Sequence, residues 1–266
     1  MNSPLPQHIS PDAISELLVA MADDEFVLGH RDAEWTGHSP ILEEDLALSN
    51  LAQDELGHAL VWLTINENLT GKNPDWMGFE RPWNEFTCCK FVQYPKGDYA
   101  FTVVRQFLFD AAEKVRLSAL TQSSFEPMRA AAKKILREEH YHLLHSQGMV
   151  ERLGDATEES HRRMQQAVDA AFPQALGLFE PLTNESDLIR AGVITASNHL
   201  QSEWLAYVVP VLGKATLEVP VTESNRTFVL DCNPDDGGRQ KKHTPEMRSL
   251  IGDIQSVYQL APGGKW

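Results

Sequence analysis

Cysteine is scarce in this chain: Cys88 and Cys89 are adjacent, Cys232 stands far away, and no Cys-x-x-Cys spacing occurs in 266 residues. No disulfide framework can be read from that pattern, and thiolate zinc and iron–sulfur sites lose their usual signature. Positive charge is also short, with 23 Lys and Arg against 38 Asp and Glu and a net charge of -15. A surface of that sign repels phosphate backbones, so nucleic acid is not an expected partner. Long apolar runs are missing too. The greasiest stretch, around Trp204 to Leu212, is interrupted by Pro210 and is too short to span a bilayer, so no membrane partner is expected. The opening residues MNSPLPQHISPD carry neither a basic start nor an apolar run. The chain therefore reads as soluble and cytoplasmic, without a secretory leader.

What is present is helical period, backed by 42% apolar residues, enough for a core. Ser10, Pro11 and Asp12 cap a first helix that runs to about Arg31, and Ala33 to Ser39 form a turn. Pro40 opens a second helix, with Glu43 and Glu44 near its positive end, finishing near Gly71. Residues 73–97 are rich in Trp, Pro and Gly and read as a long connection. Its aromatics, Trp76, Phe79, Trp83, Phe86 and Phe91, fit an interface slightly better than a core flap. A third helix is predicted over 99–123 and a fourth over 127–153, stopped by Gly154. A fifth covers 158–179 with a bend at Pro173, and a sixth covers 184–209. Residues 219–242 are polar and irregular, with a short hairpin around Phe228 to Leu230. Thr244, Pro245 and Glu246 then cap a last helix ending near Leu260.

Two long helix pairs with short turns, joined by one long connection, describe a ferritin-like antiparallel four-helix bundle. The expectation is one all-α domain over residues 1–266. Its core bundle would lie at about 11–154, with additional C-terminal helices and a tail at about 155–266.

Two Glu-x-x-His pairs carry the chemistry, Glu55/His58 and Glu139/His142. Residues three apart share a helix face, so carboxylate and imidazole can reach one metal ion. Spacing alone is weak, because this composition yields about one such pair by chance. A third pair, Glu158/His161, falls at the polar start of the fifth helix and reads as surface. Position separates the other two. Glu55 and His58 continue the apolar stripe Leu48, Leu51 and Trp62, while Glu139 and His142 continue Ala132, Ile135 and Met149. An acid in such a stripe needs a cation or stays protonated.

The other two helices supply matching acids: Glu25 follows Leu18 and Met21, and Asp110 follows Val103 and Phe107. Each acid lies about 15 residues before its turn and each Glu-x-x-His about 15 after, so all lie roughly 22 Å from a hairpin end. One half-site is used twice, in the pattern of di-iron and di-manganese carboxylate bundles. Four carboxylates and two neutral imidazoles balance two ferrous ions, and this oxygen and nitrogen set suits iron or manganese. The expected metal ligands and catalytic residues are Glu25, Glu55, His58, Asp110, Glu139 and His142. Glu113, one turn from Asp110, is either a ligand or a neighbour supporting one. Asp54 and Glu138 point about 100° away from their neighbouring ligands, and Glu44 is three turns from Glu55. His30, His38, His140 and His145 read as surface or supporting groups, and Cys88 and Cys89 as packing.

With those residues in place the sequence resembles a known family, the multicomponent phenylacetyl-CoA epoxidases of bacterial aromatic degradation. The matching stretches are EWTGHSP, EEDLALSNLAQDELGHA, VVRQFLFDA, EEHYHLLHSQGMVERLG and RRMQQAV, and a tail from GGRQKKHTPEM through LAPGGKW. The likeness runs over nearly the whole chain and is strongest to the C-type subunit. In that family the catalytic A-type subunit carries the di-iron ligands, whereas the C-type subunit is commonly a structural partner that has lost several of them. Here all six positions are acid or histidine. The resemblance implies a di-iron monooxygenase that uses O2 to epoxidise or hydroxylate an aromatic acyl-CoA such as phenylacetyl-CoA. Electrons would come from NADPH through a reductase partner, with Glu55 and Glu139 bridging the metals and Glu25 and Asp110 terminal. It also implies an oligomer that includes a sister oxygenase subunit. The alternative is a scaffold subunit supporting a catalytic sister chain. For the phosphates of coenzyme A, Arg239, Lys241 and Lys242 form the compact basic cluster, but they read as a solvated loop and are not expected site residues. No separate cofactor-binding residues are assigned.

Overall fold

The structure is a computed structural model that describes residues 5–224, 227–262 and 264. The closing residues of the resemblance, Gly263, Lys265 and Trp266, lie outside the described residues. The chain is all-α, of the ferritin-like class, and its contacts divide it into two compact units. The first comprises Ser10–Pro95 and Gly237–Trp266, and the second is built chiefly from Lys96–Asp236.

In the first unit, α1 (Pro11–Ala33) packs along α2 (Leu42–Thr70). The Ser10 side chain accepts from the Ala13 N–H and Pro11 sits at the first turn, as the sequence predicts. Gly71 ends α2 in the left-handed conformation, φ 76°, donating its N–H back to Glu67. Ser15 Oγ donates to Asn66 Oδ1 at 2.6 Å near one end of the pair. Near the other, a Cβ on Gly29 would lie 3.0 Å from the Ala52 carbonyl and 3.1 Å from Glu55 Cβ. A single antiparallel register satisfies both pairings. Glycine at 29 lets the two helices approach just beside Glu55.

The connection after α2 forms short turns at Trp76–Glu80 and Trp83–Glu85 and then α3 (Lys90–Gln93). Phe86 and Phe91 are completely buried, and Phe26 meets both Phe79 and Phe86. Phe86 and Phe91 are core, as a flap would make them, because α1 is buried nearly all round and needs cover on more than one side, whereas Trp76 is exposed and Phe79 and Trp83 are half-buried. Later in the chain, α9 (Met247–Leu260) packs on the same turns. Gln255 Nε2 donates to the Arg81 carbonyl at 2.9 Å, and Tyr258 stacks on Phe79.

The second unit is centred on α4 (Tyr99–Leu120) and α5 (Glu126–Gly154), covered by α6 (Glu158–Ala175). Pro173 does not end α6; the helix tightens after Ala175 into a 3-10 turn at Leu176–Phe179. The predicted sixth helix is two. α7 (Glu185–Arg190) stops where Gly192 takes φ 71°, with Gly192 N–H bonded to Ile189 and Val193 N–H to Leu188, a Schellman end. α8 (Ser197–Lys214) then runs through Pro210 to Lys214, because Val208 and Leu212 on either side of the proline are fully buried. Trp204 of α8 donates its indole N–H to the Leu108 carbonyl at 3.0 Å and packs on Phe172 and Phe179. The short hairpin is present, with β1 (Val221–Ser224) antiparallel to β2 (Thr227–Leu230). Among the described residues no helix is long and apolar enough to cross a membrane.

Candidate functional site

The run Asp23-Asp24-Glu25 places three buried carboxylates in succession on α1, each turned about 100° from the last. Asp23 and Asp24 have arginine partners. Asp23 pairs with Arg81 and accepts the Thr87 N–H at 2.7 Å. Asp24 accepts both terminal nitrogens of Arg239, at 2.9 and 2.5 Å, and the Cys89 N–H at 2.8 Å. Glu25 turns instead toward α2. Its carboxylate, the Glu55 carboxylate and a His58 ring nitrogen come within 4.8 Å of one another, and all three residues are 2% exposed or less. The register of α1 against α2 explains this, since it sets Glu25 level with the turn that joins Glu55 to His58. Three of the six expected ligands are thus brought together inside the first unit.

Inside the second unit Asp110, Glu139 and His142 are equally buried. A carboxylate oxygen of Asp110 lies within 4.8 Å of a His142 ring nitrogen. His142 Nδ1 is 3.1 Å from Glu139 Oε1. Asp110 is fixed by two donors, Gln106 Nε2 to Oδ1 at 2.7 Å and Ser146 Oγ to Oδ2 at 2.6 Å. Burial, followed by the Glu139 charge, pushes the Asp110 pKa well above the ordinary carboxylate range, against the opposing effects of His142 and the two hydrogen bonds. Glu113 is fully buried beside them and forms an ion pair with Arg116 at 2.5 Å. Arg116 therefore supplies a cation at Glu113 without any metal.

Each half-site offers two carboxylates and an imidazole in a dry setting. Such a donor set fits a divalent ion with oxygen and nitrogen preference, since the cation offsets charge that burial would otherwise disfavour. The surrounding expectations divide. Glu158 is exposed and His161 Nδ1 bonds the Gly154 carbonyl, so the third Glu-x-x-His stays at the surface. Asp54 is exposed and Glu138 half-buried. Cys88 and Cys89 are packed in the first unit's interior.

The basic cluster is corrected. Lys241 and Lys242 are exposed, but the Arg239 side chain is only 6% exposed and reaches Asp24, the Ala20 carbonyl at 3.1 Å and the Thr87 carbonyl at 2.9 Å. A solvated loop was expected because nothing near residue 239 marks a partner 215 positions away. Gln106 and Ser146 were also missed. Both stand four residues from a named ligand, at the helical spacing that brings side chains together, and that spacing could have found them.

A profile of the phenylacetic acid catabolic protein family matches residues 5–266 of this chain. The chain belongs to that family. It is 32% identical over 247 residues to the C-type subunit of the 1,2-phenylacetyl-CoA epoxidase of Escherichia coli (strain K12), covering 92% of this chain and 96% of that relative. It is 26% identical over 185 residues to the A-type subunit of the same enzyme, covering 68% of this chain and 60% of that relative. This member of the phenylacetic acid catabolic family is thus similar to two different subunits of one epoxidase, more fully to the C-type one.

Proposed function

We propose that this protein is a di-iron oxygenase component of phenylacetate-type catabolism, acting on an aromatic acyl-CoA such as phenylacetyl-CoA or a related aromatic compound. The observation that carries the reading is the pair of buried half-sites, each an acid with a Glu-x-x-His, in a chain of this family. The chain is taken as a single domain spanning 1–266 with two metal positions. Glu25, Glu55 and His58 would hold one ion, and Asp110, Glu139 and His142 the other, with iron preferred and manganese as the alternative metal. Bound iron would supply the reductive activation of O2, so that one oxygen atom enters the aromatic ring and the other leaves as water. Two electrons would come from NADPH through a reductase partner.

The chain's own residues prepare that chemistry. Burial excludes bulk water from both half-sites. Ser146 and Gln106 hold the Asp110 carboxylate in one orientation, which limits the motion needed when an ion arrives. Arg81 and Arg239 neutralise Asp23 and Asp24, so the negative charge next to Glu25 is already balanced.

A second reading is a scaffold subunit that supports a catalytic sister chain, and the fuller match to the C-type relative favours it. Metal content per chain separates the two. Elemental analysis after ferrous loading should give about two irons per chain, the complement of a dinuclear carboxylate centre. The double variant Glu55→Ala/His58→Ala should lose that iron while its circular dichroism stays helical. Absence of iron in the loaded native protein would leave the scaffold reading standing.

A further inference from the structure

A cleft of about 450 Å³ opens between α4 and α5, lined by Lys114, Ser118, Leu136, Arg137, His140, Tyr141 and Leu143. Its size is that of a small-molecule site. No carboxylate lines it, in a chain with 15 more acids than bases. Among the described residues neither Lys114 nor Arg137 forms an ion pair, so both charges are open to an anion in the cleft. Lys114 Nζ instead sits 3.8 Å from the centre of the Tyr207 ring, which holds the ammonium group in place. Tyr141 is 71% exposed and is braced edge-on by His140.

We propose that this cleft binds the nucleotide phosphates of the acyl-CoA substrate, with Lys114 and Arg137 on the phosphates and the Tyr141 ring stacked on the adenine. Two unpaired cations beside a neutral floor recognise a polyanion, and the planar guanidinium of Arg137 can donate two parallel hydrogen bonds to a phosphate. A flat, exposed aromatic ring adds the surface on which a base stacks. Burial lowers the pKa of Lys114, which a bound anion would reverse. The tail cluster cannot take this role as a unit, because Arg239 is committed to Asp24. This inference rests on the acyl-CoA reading above.

The test is isothermal titration of the full chain with adenosine 3′,5′-bisphosphate, the nucleotide end of coenzyme A, and with inorganic pyrophosphate. The bisphosphate should bind at low salt and weaken as salt rises. Arg137→Gln and Tyr141→Ala should each weaken it roughly tenfold or more. Pyrophosphate should bind at least about tenfold less tightly, because it offers no base to stack. The Glu55→Ala/His58→Ala variant should bind the bisphosphate as the native protein does. An unchanged affinity in Arg137→Gln, pyrophosphate binding equal to the bisphosphate, or no binding at all would each overturn the inference. Iron loading reads the metal proposal separately, so a chain that takes up iron yet shows no Arg137-dependent nucleotide binding refutes this site alone.

Discussion

Arg239→Met removes a guanidinium that donates to both carboxylate oxygens of Asp24 and to the carbonyls of Ala20 and Thr87. Burial by itself disfavours the charge on Arg239, and the Asp24 carboxylate more than offsets this, holding the pKa above its ordinary value. Asp24 is 0% exposed, so losing the cation strands a carboxylate in the interior. Breaking a buried pair from one side costs about 3–5 kcal/mol. The expected result is a loss of that size in urea denaturation, and a drop of about 10 °C in thermal midpoint for a chain of this length. The double variant Asp24→Leu/Arg239→Met should recover most of the loss, since an apolar pair of similar volume carries no stranded charge. If Arg239→Met costs less than about 1 kcal/mol, the pair behaves like an exposed salt bridge and the docking of the Gly238–Gln240 turn on α1 is refuted.

Two further predictions use the first unit's buried titratable groups. Burial pushes the His30 pKa down to about 4, partly opposed by Glu34. The unfolded chain therefore takes up a proton below pH 6.5 that the folded one refuses until about pH 4. Stability should be complete above 6.5 and fall by at most about 3 kcal/mol between those values. His30→Phe should flatten that part of the pH profile, and an unchanged slope would show that another group sets it. Cys88 and Cys89 are fully buried, and burial, then Asp23 and Asp24, pushes the Cys88 thiol well up. A thiol reagent should reach the part-exposed Cys232 first in native protein and all three thiols in denaturant. Rapid native labelling at Cys88 or Cys89 would contradict the packing of the connection.

How much of this was legible in the sequence depends on the range of each signal. Glu55, His58, Glu139 and His142 were visible because polar residues interrupt apolar stripes at helical spacing, a pattern complete within a few turns. Glu25 and Asp110 followed from the lengths of two hairpins, which the short turns fixed. The break at Gly192 was available in principle, since Ala191-Gly192 is a helix-ending pair, but the apolar period on both sides hid it. Pro210 misled in the other direction: its penalty is local, and the buried residues around it outweigh it. Arg81 and Arg239 lie 58 and 215 residues from their partners, and no periodicity spans such distances. Sequence patterns could propose which acid faces its partner helix, but only the structure explains how its two neighbours are tolerated.

That distinction bears on the difference between the half-sites. On α1 the neighbours of the expected ligand are clamped, Asp23 and Asp24 by arginines, and this fixes the rotation of the helix that carries Glu25. On α4 the expected ligand itself is clamped, by a donor from its own helix and one from α5. A carboxylate offers about four acceptor positions, so the two hydrogen bonds to Asp110 leave room for a cation on each oxygen. Aspartate is also one methylene shorter than glutamate, and a short side chain with two donors has few alternative orientations. Asp110 is accordingly held stiffly, and Ser146→Ala is the change that should loosen it. Removing one hydrogen bond to a buried carboxylate should cost about 1–3 kcal/mol in the metal-free protein. In the proposed metal-loaded form the cation takes over part of the charge, so the same variant should cost less. A Ser146→Ala penalty that is equal with and without ferrous ion would mean that Asp110 does not meet the metal.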